Sequence, residues 1–218
     1  MARHHLETDL LLEYATGSLS EPYSLLVATH LALCPECRER TEQYEMVGGA
    51  MFENLKNAEV SEGLRDNVFA QLDAGASMFS SKADNAPQSE FDLRIPQPLR
   101  GYVNNNLDNL NWKSRGPVDE AKLLPAHANV TSRLLKIKAG KAMPRHTHDG
   151  TELTLVLSGG FTDQGLHFGR GDVETAGSKT DHAPVADDGE DCYCLAINDK
   201  RLRLSGPIAR FLSPFVRL

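Results

Sequence analysis

Eight residues, His30 to Cys37, constrain this chain more than any others. They read H-x-x-x-C-x-x-C. Two soft thiolates lie three apart, with an imidazole one helical turn before the first. Tetrahedral zinc takes four ligands of this kind, and the run supplies three. The fourth has to come from elsewhere, and the nearest imidazoles upstream are His4 and His5. Spacing alone leaves the choice between them open. The same C-x-x-C spacing occurs in thioredoxin-type redox pairs, but those need a βαβ context. Two buried structural thiols beside a surface histidine are the plainer alternative.

The flanks are helical in pattern. A first helix is expected from about Asp9 to Thr16, with Gly17 as its stop. Ser20-Glu21-Pro22 opens a second, as an N-cap followed by a first-turn proline. It carries His30 in its last turn and breaks at Cys34-Pro35, because a residue before proline disfavours helical angles. Pro35 can begin a third helix running to about Leu55, in which Gly48-Gly49 is a weak point and a possible kink. A fourth is expected from Ser61 to Leu72, with Leu64, Val68, Phe69 and Leu72 apolar. Four short helices make a small core, of the kind that a structural metal commonly staples.

Charge divides the chain. Residues 1–73 hold 13 acidic and 5 basic side chains, whereas residues 95–218 hold 14 and 16. The acidic first third is unsuited to gripping nucleic acid, since phosphate contacts need cations. A basic protein partner suits it better. The longest apolar run, Leu25 to Cys34, is ten residues and includes Thr29 and His30. That is too short and too polar to span a membrane. The N-terminus shows no secretory pattern, so a cytoplasmic location is expected. Four cysteines then read as ligands or thiols rather than a disulfide framework. Between the two charge regimes, residues 76–98 are rich in Ala, Ser and Pro without periodicity and read as a linker. The expected division is a helical domain at 1–75, this linker, and a second domain at 99–218.

The second domain has β texture: Leu135 to Lys138 alternates, Leu153 to Leu157 is a continuous apolar run, and Cys192 to Ile197 is another. It also carries HTHDGTE. His146 and His148, at i and i+2, point to one face of a strand. With Glu152, two imidazoles and a carboxylate converge, a set that suits zinc, iron, manganese or nickel and leaves positions open. Cys192 and Cys194, about 6.6 Å apart along a strand, read as small core residues, with oxidation open to thiols near a metal. Arg133 and Arg145 are expected on a solvated strand face, and His167 fits no ligand spacing.

Two resemblances follow from these residues. Gly140, His146, His148, Glu152 and Gly159 match the first cupin motif, G-x5-H-x-H-x3-E-x6-G. Gly171 and His182 keep the spacing of the second motif, which implies His182 as a further metal ligand. Gly177, Lys179 and Ala186 stand where that motif has proline, glycine and asparagine. His30, Cys34 and Cys37, on a small acidic helical module, resemble the zinc-binding anti-sigma family. That resemblance implies His5 as the fourth ligand, by its distance of 25 residues from His30. It also implies a fold class of α+β, two-domain: a small zinc-bound four-helix anti-sigma domain, then an all-β cupin of the double-stranded β-helix or jelly-roll barrel type. The metals implied are Zn2+ at His5, His30, Cys34 and Cys37, and a second divalent ion at His146, His148, Glu152 and His182. The partner implied is an extracytoplasmic-function sigma factor, with no direct nucleic acid and no membrane. The chain as a whole, including Arg3-His4-His5 and the late cysteine pair, is similar to anti-sigma factors that answer singlet oxygen. These control transcription and are not enzymes. A metal-dependent cupin dioxygenase or isomerase with a helical dimerisation domain is the rival expectation, since the second site leaves metal positions open.

Overall fold

A computed structural model describes residues 2–79, 92–127, 130–200 and 202–204. Most of the expected linker, residues 80–91, lies outside the described residues.

Among these residues are four α-helices: α1 (Thr8–Ala15), α2 (Glu21–Leu33), α3 (Pro35–Glu53) and α4 (Leu64–Phe79). Their boundaries have local causes. Gly17, at φ +70°, follows α1 and donates its N–H to the Tyr14 carbonyl at 3.0 Å, a left-handed stop that favours glycine. Helix α2 carries Pro22 in its first turn and gives way at Cys34, which is extended at φ −116° and ψ 101°. Pro35 restarts the chain as α3, and the Cys37 N–H donates to the Cys34 sulfur at 3.5 Å. The thiol thus serves as an N-cap, satisfying a donor that every helix start leaves open. Helix α3 runs through Gly48-Gly49 without a break.

The four-helix core expected from the sequence is not what forms. Helices α1, α2 and the first half of α3 pack together around Leu6, Leu11, Leu25 and Leu26. The second half of α3 and the described side chains of α4 stand clear. Met51, Phe52, Leu64, Phe69 and Leu72 are all exposed. The apolar face of α4 is real, but nothing in the described chain lies opposite it.

Two 3₁₀ turns, Gln97–Tyr102 and Leu107–Asn109, lead into the β region. The expected linker thus ends in packed chain: Ile95 and Leu99 are buried, and the Arg94 guanidinium both pairs with Asp92 and lies 4.6 Å over the Tyr193 ring. The strands are β1 (Lys113–Arg115), β2 (Val118–His127), β3 (Val130–Ile137), β4 (His146–His148), β5 (Glu152–Ser158), β6 (Gly160–Asp163), β7 (Leu166–Gly169), β8 (Val173–Ala176), β9 (Asp181–His182), β10 (Val185–Ala186), β11 (Cys192–Asn198) and β12 (Leu202–Leu204). They form a six-stranded sheet in the order β1-β2-β3-β11-β5-β8 and two three-stranded sheets, β10-β6-β7 and β12-β4-β9. All recorded pairings are antiparallel. The hydrogen-bonded order is open among the described residues, so the β region expected as a jelly-roll barrel is a set of three sheets around a shared interior.

The central strands are apolar without alternation because both of their faces are covered. Along β11, Tyr193, Leu195 and Ile197 face the helices and join one core with Leu26, Val27 and Leu99. Cys192, Cys194 and Ala196 face the other way, into a second core with Val156, Phe161 and Phe168. The same period-two division holds in β5, where Leu153, Leu155 and Leu157 face the helices and Val156 faces the interior. The helical and β parts therefore share a core. The interior side is apolar at one end and polar at the other, where Arg133, Glu152, Thr154 and Asn198 are buried.

These burial differences make a direct prediction. Leu26→Ala, in the shared core, should cost about 2–5 kcal/mol of stability. Val68→Ala, on the bare face of α4, should change it by no more than about 0.5 kcal/mol. Denaturant unfolding of the two variants checks the contrast.

Candidate metal centres

Two groups of ligand-type side chains come together. In the first, ligand atoms of His5, His30, Cys34 and Cys37 all lie within 4.8 Å of one another. Helix α2 delivers His30, the break before Pro35 delivers Cys34, and the first turn of α3 delivers Cys37. His5 comes from the chain before α1. Its Nδ1 is 3.3 Å from the Cys34 sulfur and 3.5 Å from the Cys37 sulfur. His4, which spacing could not separate from His5, turns away. Its ring lies 4.4 Å from the Phe168 ring and its Nε2 donates to the His167 carbonyl at 3.1 Å.

A hydrogen bond fixes the tautomer of His30, and an ion-pair approach orients His5. His30 donates Nδ1–H to the Gly171 carbonyl at 2.9 Å. Its Nε2 then carries a lone pair, is buried, and has no hydrogen-bond partner among the described residues. His5 places Nε2 3.3 Å from Glu36, which leaves the Nδ1 lone pair facing the sulfurs. Burial lowers the His30 pKa to about 4 and pushes the Cys37 thiol up to about 11. Neutral imidazoles and buried sulfurs facing one point are a donor set that fits a soft divalent cation, which would also favour thiolate.

In the second group, Nε2 of His182 lies 2.9 Å from Nε2 of His148 and 3.1 Å from Nε2 of His146. His146 and His148 project from β4 at i and i+2, and His182 of β9 pairs with His146 in register. His146 donates Nδ1–H to the Pro144 carbonyl at 2.8 Å, and His182 donates Nδ1–H to Asp163 at 2.8 Å. The Nε2 atoms of both rings are therefore acceptors. Their 3.1 Å approach sets two lone pairs against each other, and His148 can donate one proton to only one of them. His148 Nδ1 is itself buried without a hydrogen-bond partner among the described residues. A cation among the three nitrogens would resolve all of this, so the residues fit a metal ion.

Glu152, expected beside these histidines, is buried on β5 but engaged elsewhere. Its oxygens accept from Asn198 and from Thr154, and Arg133 approaches at 3.9 Å. It is near enough for its charge to raise the pKa values of His146 and His148, against the larger lowering by burial. Arg133, expected on a solvated face, is instead buried and bonds Asn198 at 2.8 Å. It points inward because it shares the interior parity of Leu135 and Ile137. Arg145 does remain exposed, paired with Asp181 at 3.1 Å.

Sequence reasoning missed Asp163 and Glu174. Both are buried, from β6 and β8, and with His182 they form a third cluster of ligand-type atoms within 4.8 Å. Asp163 orients His182. Burial first, then the neighbouring Asp163, pushes the Glu174 pKa up to about 9, so Glu174 is a neutral acid at pH 7. Only the pairing of distant strands could have revealed them. Cys192 and Cys194 are buried core residues, as expected, with sulfurs 3.5 Å apart. A bulge at Tyr193/Cys194 adjusts their strand.

Residues 102–200 match the family described as the ChrR Cupin-like domain. Over 216 residues, 99% of each chain, the sequence is 42% identical to anti-sigma-E factor ChrR of Cereibacter sphaeroides. The structure is similar to the anti-sigma ChrR in the crystal structure of Rhodobacter sphaeroides SigE in complex with it. The TM-score is 0.79 at 43% identity, over 91% of this chain and 100% of that one.

The raised pKa of Glu174 has a consequence for stability. Between its unfolded value near 4.5 and its folded value of about 9, the native state holds a proton that the unfolded state has lost. That contribution therefore weakens folding as pH rises through this window. Glu174→Gln, which keeps the neutral shape, should stabilise the metal-free protein by about 1–3 kcal/mol at pH 7 and have little effect at pH 4. Urea unfolding at the two pH values measures the difference.

Proposed function

The chain belongs to the ChrR family of anti-sigma factors, and on that premise we propose that it holds an extracytoplasmic-function sigma factor inactive through its N-terminal helices. One observation carries this reading: the bare apolar side chains on α3 and α4. Met51 and Phe52 of α3 are 69% and 75% exposed, Leu55 just past its end is 64% exposed, and Leu64, Val68, Phe69 and Leu72 of α4 are 44–61% exposed. Large apolar side chains gathered in water along two helices suit a protein interface. The surrounding acidic surface of residues 1–73 suits a basic partner and would steer its approach.

In this reading the working division is a helical anti-sigma domain at 1–75, a linker at 76–98 and a cupin domain at 99–218. His5 Nδ1, His30 Nε2 and the Cys34 and Cys37 sulfurs would hold Zn2+ as a closed structural centre. Binding of that kind contributes roughly 10–16 kcal/mol in small metal-dependent domains. His146, His148 and His182 would hold a second divalent ion, with zinc the first choice and iron, manganese or nickel the alternatives. Glu152 would join that set only by leaving Asn198 and Thr154, whose hydrogen bonds it accepts. Asp163 would fix the His182 tautomer, as outer carboxylates do at other histidine–metal sites. The cupin domain would receive an oxidative signal of the singlet-oxygen type, and the sigma factor would then be released. The protein would act in the cytoplasm on its sigma factor, without touching nucleic acid and without catalysis. No helix among the described residues is long and apolar enough to cross a membrane.

Co-expression with the cognate sigma factor tests the reading. Phe69→Asp should weaken the complex by about 30-fold or more, as at an interface hot spot, while the free protein unfolds as before. Cys34→Ser should lose the N-terminal metal and, with it, sigma inhibition in a reporter assay. Full-strength binding by the purified Cys34→Ser protein would refute the dependence of the clamp on zinc.

A further inference from the structure

The β region holds the N-terminal group at two points, the His30 ring and the main chain just before His5. The His30 ring bonds the carbonyl of Gly171, 141 residues away in sequence. The chain leading to His5 is clasped by the next two residues. One Asp172 oxygen accepts the main-chain N–H of Arg3 and, at 2.9 Å, that of His4. The other accepts the Gly169 N–H at 2.8 Å, which orients the carboxylate. The Val173 N–H donates to the His4 carbonyl at 3.1 Å. His5 therefore follows a residue fixed at both its N–H and its carbonyl. Gly171 is at φ +91°, and a Cβ there would stand 3.4 Å from Leu33 Cβ and 3.6 Å from Ala2 Cβ. Those distances are ordinary contact, so it is the left-handed φ that favours glycine at this turn.

We propose that the turn Gly169 to Val173 is an outer shell of the N-terminal metal site, with Gly171 and Asp172 as its positioning residues. This rests on the reading of His5, His30, Cys34 and Cys37 as ligands. The Gly171 carbonyl holds the His30 proton on Nδ1, so that Nε2 faces the sulfurs. Asp172 holds the backbone that aims His5. If the turn withdraws, His30 loses the acceptor that selects its tautomer and His5 loses its anchor. Loss of such outer partners typically weakens metal binding by 10–100-fold. By linkage, metal at the cysteines must tighten the docking of the turn by the same factor. The turn continues directly into Glu174, whose carboxyl lies 3.8 Å from His182 of the second group. The two candidate centres are thus separated by a few residues of one strand, and metal affinity in the helical part becomes a property of the whole chain.

The test is cobalt titration of the full-length, metal-free protein against a competing chelator. The thiolate-to-cobalt charge-transfer band reports the site with Cys34 and Cys37, because the second group offers no sulfur. Asp172→Ala should lower cobalt affinity at that band by about 10–100-fold. A folded Asp172→Ala protein with the parent's affinity overturns the proposal. Absence of the band in the parent itself would be a different failure, sinking the zinc reading and this proposal with it. If Asp172→Ala does not fold, hydrogen exchange on the parent decides. Cobalt at the thiolate site should slow exchange of the Arg3, His4 and Val173 amides, and exchange indifferent to its occupancy overturns the coupling.

Discussion

The seat of α2 on the six-stranded sheet is the contact on which the rest of this structure depends. The helix buries Pro22, Leu25, Leu26, Val27, Thr29, His30 and Leu31. A helix apolar on most of its circumference belongs inside a structure, not on its surface. Here α1 and α3 cover part of it, while the outward residues of β3 and β11 and the 3₁₀ turn at Gln97–Tyr102 cover the rest. That single seat joins the helical and β parts in one core. It also carries His30 to the Gly171 carbonyl and to the cysteines. Moving α2 would expose the core, break the His30 hydrogen bond and scatter the ligand set together.

Burial without a cation is costly at both centres. At the first, two thiols and an imidazole lone pair are sealed from water. At the second, three imidazoles converge, with acidic Asp163 and Glu174 behind them. Such groups keep their charge only when something compensates it. Neutral histidines, a raised Cys37 and a protonated Glu174 are how the protein alone resolves the conflict. A bound divalent ion resolves it differently, by favouring thiolate at Cys37 and by accepting the opposed lone pairs of His146 and His182. The outer partners are already placed for that outcome. Gly171, Pro144 and Asp163 each take a ring proton on the side away from the centre, and Glu36 faces the outer nitrogen of His5.

What the sequence disclosed was local, and what it hid was long-range. H-x-x-x-C-x-x-C and HTH are readable because helix and strand spacing alone place those side chains on one face. The apolar run Leu153 to Leu157 declared a strand covered on both sides, though not that helices formed the second cover. Spacing alone could not tell His5 from His4, since the clasp on Asp172 that turns them apart joins residues 168 and 169 positions apart in sequence. Arg133 was misread because a charge within an alternating strand usually faces water. Its burial is supported by Glu120, Glu152 and Asn198, none of which is near it in sequence. Asp163 and Glu174 belong to no motif at all.

The two faces of the helical module have separate uses, and this limits how they can communicate. The face of α2 is consumed by the sheet. The bare apolar residues lie beyond Thr41 on α3 and along α4, away from that seat. A 16-residue helix with its apolar side chains in water gains little from propensity alone, so the arrangement of α4 is completed by whatever covers it. A partner on α3 and α4 therefore need not displace the β region. The remaining physical link is the junction of α2 and α3 at Cys34-Pro35, where the cluster of His30, Cys34 and Cys37 joins a helix held by the sheet to a helix whose far half is bare. A change in the β region that reaches the Gly171 turn acts on that junction directly.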